Sequence, residues 1–503
     1  MVNLLEVESL ILTSLEAEDK VLLKDSNFSI EKGKIVSIVG ESGSGKSLFA
    51  YSLMSKEFLY NAKKKFKSFK YNGQEIVDRY EKNISYIPQE PLSSLNPTLT
   101  VLKHFETNAK NKLNDSEVKK IATNLLLEVG FHEIDILLKK FPHELSGGMA
   151  QRVLIALSLQ NNPEMLIADE ATSSLDAVNE KLILDLLVKI STNRQLTILI
   201  ITHDPRIVSN YSSECYEVKD KKIIKYKNVF EIRRYYDDSR SLARNNLPEV
   251  EEIVNSRTEL INLNNISFKF DKEKELILNN LNFSLNKGEA VGLIGLSGSG
   301  KSTISKLITK LLVPSSGEIL YNGKNINQIS SKDYSHKAQI VFQDLLGSLN
   351  PKRKIQNILL DSFFNIEKYN SNEKKEIIKN NLSKIRLPIE ILNQFPSTLS
   401  GGQRQKILIL KAILSNPEFI VFDEPMSSLD VKSQIEIISI IKELLRSKNF
   451  TVLFITHDYR LIEDLCEKVL VLSEGLIVEM GNTEEVFTSP SHEITRKLLQ
   501  VVK

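Results

Sequence analysis

The chain has 503 residues, is 41% hydrophobic and 26% charged, and sets 66 Lys plus Arg against 64 Asp plus Glu for a net charge of +2. Such a length supports more than one domain with a sizeable core, and the near balance of charge excludes a protein built around neutralising a nucleic-acid backbone. Two cysteines, Cys215 and Cys466, stand far apart and outside any Cys-x-x-Cys spacing, which excludes a disulfide framework or a cysteine-held zinc or iron–sulfur centre and fits a reducing cytoplasm.

The opening "MVNLLEVESL" lacks a basic stretch followed by a sustained apolar run, and no run approaches the ~18 apolar residues that cross a bilayer, so any role at a membrane is expected to be peripheral. The first short apolar run, "KIVSIVG", reads as a buried strand and feeds "GESGSGKS" (40–47). Its glycines let the backbone curl so that successive N–H groups converge on phosphate oxygens at a helix start. Gly40, Glu41, Ser42, Gly43, Ser44, Gly45, Lys46 and Ser47 are therefore a candidate ATP-phosphate loop, with Lys46 reaching the β and γ phosphates and Ser47 ligating Mg²⁺. The basic run "KKKFK" (63–67) is read as a solvated face because acidic residues balance it overall.

Further along come "QEPLSSLNP" (89–97), "LSGGM" (145–149), "IADEATSSLD" (167–176) and "IITHD" (200–204). The strand "MLIADE" ends in two carboxylates, a costly placement unless a cation and a reacting water use them. Asp169 is assigned to Mg²⁺ through water and Glu170 to activating the attacking water as general base. His203, just past a strand, is placed to hydrogen-bond a γ-phosphate; the histidines His104, His132, His143, His336 and His492 are read as structural. Ser146 is expected to N-cap the helix that begins "GGMAQRV". A second anion-binding helix start, in a domain that already owns a phosphate loop, best serves a nucleotide held by another domain.

Every one of these phrases then returns. Gly295, Leu296, Ser297, Gly298, Ser299, Gly300, Lys301, Ser302 and Thr303 repeat the loop, "LSGGQ" (399–403) the signature, "VFDEPMSSLD" (421–430) the acidic strand end and "FITHD" (454–458) the histidine segment. The offset is 255 at Lys46/Lys301 and 254 at Glu170/Glu424 and His203/His457, a register that means two copies of one domain. Asp423, Glu424 and His457 inherit the Mg²⁺, base and γ-phosphate assignments. The expected boundaries are 1–234 for the first domain, 235–258 for a polar linker and 259–503 for the second. Strands alternating with longer helical patterns predict an α/β fold of two tandem P-loop NTPase domains, each a mixed sheet with crossover helices and a helical subdomain around the signature.

In this order the phosphate loop, Gln segment, "LSGG", "DE", "SSLD" and "TH" resemble the ATP-binding subunits of ABC transporters over nearly the whole chain. The resemblance implies head-to-tail domains, within one chain or between chains. One ATP site would combine Lys46, Ser47, Gln89, Asp169, Glu170 and His203 with Ser400, Gly401, Gly402 and Gln403. The other would combine Lys301, Ser302, Gln343, Asp423, Glu424 and His457 with Ser146, Gly147, Gly148 and Met149. Gln89 and Gln343 would contact Mg²⁺ and γ-phosphate. Phe270 matches the adenine-stacking aromatic, whereas "LILTSLEAE" offers none in the first half.

"FPHELSGGMAQRV" and "VFQDLLGSLNPKRKI" resemble, more narrowly, the two paired ATPases of dipeptide, oligopeptide and nickel importers, here fused. The implied partners are two membrane permease subunits and, indirectly, an extracytoplasmic substrate-binding protein, with the ATPase on the cytoplasmic face of the membrane; no nucleic acid is expected. The tails lack the His-Pro-Tyr-Thr-like motif of that group, leaving peptide or metal–chelate cargo open. A ribosome-acting tandem ATPase is the alternative class, disfavoured by the short linker and by "SLNP"; a fused sugar- or vitamin-type importer ATPase is another. The "SLNP" turn is expected to help form the groove that receives a permease coupling helix, with Leu95 and Leu349 facing it.

Overall fold

The computed structural model describes residues 3–15, 20–41, 43–76, 83–109, 113–173, 175–234, 258–270, 275–342, 347–363, 369–426, 429–447 and 450–500. They form an N-terminal and a C-terminal compact unit. The expected linker, apart from Thr258, falls outside the described residues, as do Ser42 and Gln343.

In the N-terminal unit a six-stranded sheet carries the strands in the order Lys222–Lys225, Glu214–Lys219, Ile35–Gly40, Thr197–Ile201, Met165–Asp169 and Ile84–Ile87. All neighbours are parallel except the pair at the Lys222 edge. The inner strands read "IVSIVG", "TILII" and "MLIAD" and are buried almost throughout, because parallel strands covered on both faces need continuous apolar side chains rather than alternation. A second, antiparallel sheet pairs Asn3–Ser14 with Val21–Glu31, Ala62–Lys65 and Ser68–Tyr71. Its apolar face packs with the helix Lys46–Leu53 in one core that includes Phe28, Phe49 and Phe69.

A separate core gathers the helices Val101–Asn108, Asp115–Glu128 and Gly147–Leu159 around Phe105, Leu126 and Val153. This is the helical subdomain the sequence predicts. Both signature helices stop where a left-handed asparagine, Asn162 (φ 47°) or Asn416 (φ 52°), precedes a proline, the usual way to end a helix.

The C-terminal unit has its sheet in the order Ala338–Val341, Phe419–Asp423, Thr451–Ile455, Ala290–Gly295, Lys468–Ser473 and Leu476–Asn482. It adds its own antiparallel layer of Glu259–Phe268, Leu278–Asn286 and Ser316–Tyr321. Its helical core includes Ile355, Leu382 and Ile407. In both units the loop strand occupies an interior position, so Gly40, Asp169 and the start of "TH" all emerge from carboxyl ends of neighbouring parallel strands. Ligands of open α/β sheets bind at that edge.

Candidate ATP site

Each phosphate loop is shaped by glycines at positions where a side chain cannot go. A Cβ on Gly40 (φ 156°) would lie 2.7 Å from the Val218 carbonyl oxygen, and one on Gly295 (φ 159°) 2.2 Å from that of Leu472. Gly45 and Gly300, at φ 105° and 104°, N-cap the helices Lys46–Leu53 and Lys301–Ile308. The lysines fold back across their loops. Lys46 Nζ donates to the carbonyls of Gly40 (2.9 Å) and Glu41 (3.0 Å), and Lys301 Nζ to those of Gly295 and Leu296 (both 2.8 Å). Burial pushes the Lys301 ammonium pKa down, and the Glu424 carboxylate partly offsets it. A buried ammonium of this kind gains from an anion placed before it.

The acidic strand ends take up the expected positions. Glu170 and Glu424 adopt left-handed backbone conformations, φ 46° and 49°, uncommon for a non-glycine residue and a form of strain that concentrates at functional sites. Their N–H groups remain tied to the adjacent strand, at Ile201 and Ile455 (both 2.9 Å). Three predicted residues meet on Glu170: Gln89 Nε2 donates to it at 2.8 Å, Lys46 Nζ lies 3.9 Å away and His203 Nδ1 3.6 Å. Burial would raise the Glu170 carboxyl, but the bond from His203 and the charges of His203 and Lys46 outweigh it and hold it below the usual range. Burial works equally against the His203 imidazolium, yet Glu170 raises its pKa overall. His457 Nδ1 lies 3.4 Å from Glu424 in the same relation.

Asp169 and Asp423 are buried, and burial pushes both carboxyls up against the pull of their hydroxyl partners. Ser47 is one such partner of Asp169; Ser302 Oγ donates to Asp423 Oδ1 at 3.3 Å. Sequence reasoning missed two others. Tyr86 donates to Asp169 Oδ2 at 2.7 Å, and Ser305 Oγ lies 3.1 Å from Asp423 Oδ2. A tyrosine in a short strand and a serine in a helix carry no motif signal; only comparing the halves column by column for hydroxyl groups would have exposed them.

The donor set fits MgATP. Ser44 Oγ and Ser299 Oγ are buried in the loops with no hydrogen-bond partner, a costly state that a phosphate oxygen would relieve. Asp169 with Ser47, and Asp423 with Ser302, are the oxygen pairs that could hold Mg²⁺, an ion that takes one or two protein oxygens and shares the rest between phosphates and water.

Ser146 caps its helix as expected and Ser400 does the same in the second half, accepting from the N–H of Met149 (3.3 Å) and Gln403 (3.2 Å) respectively. Gln403 closes a full capping box by accepting from the Ser400 N–H at 3.0 Å, which Met149 cannot do. Each serine keeps its own O–H to donate, and Ser146 and Gly147 are exposed. Phe270 stands edge-on to Phe268 at 5.1 Å with 44% of its surface exposed, open to stacking; Leu15, 255 positions earlier, is also exposed. Cys215 and Cys466 are free and buried, the Cys215 thiol pushed up to about 12 by burial.

The "SLNP" expectation needs correction. The turn is present: Asn96 Oδ1 accepts from Thr98 N (3.0 Å) and Asn350 Oδ1 from Lys352 N (3.0 Å). His104 buttresses the first, accepting from Asn96 N through Nε2 at 2.9 Å while Nδ1 faces the Thr100 carbonyl at 2.8 Å, so its structural reading holds. Leu95 and Leu349, however, are 3% and 1% exposed and belong to the helical cores. The turn points them inward, and the apolar residue left outward is Leu92, 45% exposed on the short helix Pro91–Ser94.

The ABC transporter family model matches residues 23–173 and 278–427, more than half of the chain. The chain belongs to the ABC transporter family. It is an ATP-binding protein of that family with two cassette domains, and such proteins are ATPases. The chain is 30% identical to the peptidoglycan transport ATP-binding protein YejF of Agrobacterium fabrum, over 94% of this chain and 91% of that one. It is 29% identical to the glutathione import ATP-binding protein GsiA of Escherichia coli K12, over 99% and 89%. Among solved structures, cbiO1 from Clostridium perfringens aligns with 48% of this chain and 94% of its own at 26% identity and a TM-score of 0.42. No described helix is long and apolar enough to cross a membrane.

Proposed function

We propose that this ABC ATPase is the energy-coupling subunit of an importer for peptide-containing cargo, working on the cytoplasmic face of the membrane with two permease subunits and an extracytoplasmic binding protein. The observation that carries this reading is the end-to-end similarity to relatives named for peptidoglycan transport and glutathione import. Nickel or another metal chelate is the competing cargo from the sequence.

In the proposed mechanism the loop N–H groups with Lys46 or Lys301 bind the phosphates, and Phe270 stacks the second adenine. The Ser146–Gly148 and Ser400–Gln403 helix starts donate to nucleotide held mainly by the other domain. Asp169 with Ser47, and Asp423 with Ser302, would hold Mg²⁺, aided by Gln89 and Gln343; the ion would supply neutralisation of phosphate charge. Glu170 and Glu424 take the proton of the attacking water, and His203 and His457 hold the γ-phosphate and orient the glutamates. Domain closure on ATP, followed by hydrolysis and reopening, does the mechanical work.

The test is uptake in a deletion strain supplied with labelled dipeptide, labelled glutathione and labelled nickel in parallel. Restoration of peptide or glutathione uptake by the wild-type chain and not by a Lys46→Ala/Lys301→Ala variant is the expected result. Restoration of nickel uptake alone would replace the cargo assignment.

A further inference from the structure

The two halves secure the outer oxygen of the buried aspartate with different residues. Tyr86, on the strand Ile84–Ile87, pairs across the sheet with Ile167; the matching place on Ala338–Val341, opposite Val421, is Ile340, which has no hydroxyl. Ser305, on the helix Lys301–Ile308, reaches Asp423, and 255 positions earlier the first half has Ala50. Each half thus keeps one donor to Oδ2 and lacks the other's.

We propose that Tyr86 and Ser305 are interchangeable positioning residues, whose hydroxyls pin Oδ2 of Asp169 and Asp423 so that Oδ1 faces the loop serine and the Mg²⁺ shell. The inference rests on the Mg²⁺ role given to these aspartates above. Its physical basis is simple. An aspartate carboxylate rotates easily about its last torsion, and a hydrogen bond to one oxygen fixes which lone pairs the ion meets. Outer partners of this sort commonly change metal affinity 10- to 100-fold when removed.

The two pins are not equally firm. Tyr86 gives its proton to Asp169 at 2.7 Å from a ring packed on Tyr51, with centroids 5.0 Å apart. Ser305 has one proton for two acceptors, Asp423 at 3.1 Å and the Ser302 carbonyl at 2.9 Å. The first site therefore depends more on its pin than the second.

The experiment uses the full chain with a non-hydrolysable ATP analogue and Mn²⁺ as the probe, read by electron paramagnetic resonance, so that no turnover is required. An Asp423→Asn background isolates the first site. Tyr86→Phe, which keeps the ring, and Tyr86→Ile are each expected to weaken Mn²⁺ binding about 10-fold. Adding Ala50→Ser to Tyr86→Ile is expected to recover most of the loss by moving the donor to the helix, as in the second half. Unchanged affinity in Tyr86→Phe, or no recovery with Ala50→Ser, overturns the proposal. Asp169→Asn is the control: if it leaves Mn²⁺ binding intact, the metal assignment itself fails, whereas loss there with no effect of Tyr86→Phe rejects only the positioning role.

Discussion

Replacing Glu170 and Glu424 together by glutamine stops steady-state ATP hydrolysis, by ~10²-fold or more as expected for removing a general base, while ATP binding persists. Glutamine preserves side-chain length and can still meet Gln89 or His203 by hydrogen bonding, so the loop, its lysine and the aspartate stay in place. Only the ability to take a proton from water is lost. Phosphate release and binding of a fluorescent ATP analogue, measured on the same preparation, separate the two effects. Turnover unchanged in the double variant would reject the base assignment, and binding lost in parallel would mean that the glutamates hold the loop instead. The single variants report whether the two sites are equally active, because a chain with one working base retains whatever turnover that site supports.

Leu95→Glu and Leu349→Glu produce the second large effect, on stability. Both side chains sit in the helical cores, and each substitution removes packed methyl groups and buries a carboxylate without a partner. The expected cost is at least about 3 kcal/mol per site, enough to lower the thermal midpoint markedly and to unravel the helical layer before the sheet. A transport defect in these variants would therefore report misfolding. Leu92→Glu is the informative probe of permease contact, because its side chain is already half exposed. It is expected to melt like the wild type and to reduce uptake if the short helix Pro91–Ser94 meets a coupling helix. A Leu95→Glu chain with an unchanged melting curve would contradict the inward-facing turn.

These examples mark where sequence reading works. Loop, signature, acidic pair and histidine were legible because their chemistry depends on neighbours in the chain, and because a second copy at offsets of 254 and 255 repeats them. The α/β class followed from continuous apolar runs such as "TILII", whose burial on both faces leaves few alternatives. The facing of Leu95 was not legible: a leucine near Asn-Pro looks the same whether the turn aims it at solvent or into the helical core. That Gln89, Lys46, Glu170 and His203 share one site was implied by the resemblance, but that the other three converge on the Glu170 carboxylate itself was not legible, since they come from separate strands and loops. Tyr86 escaped notice because its role depends on an acceptor 83 positions away.

The interior placement of the loop strands has a consequence for motion. Ile35–Gly40 and Ala290–Gly295 are hydrogen-bonded on both sides to parallel partners, so their amides can open only when the surrounding sheet opens. Hydrogen exchange there is expected to follow the slowest, global route, whereas Gln89 and the "SLNP" turn, beyond the strand ends, should exchange by local opening at much lower free energy. The phosphate loop is in this sense anchored in the least yielding part of each domain, and the turn beyond the strand ends is expected to open on its own, without the sheet.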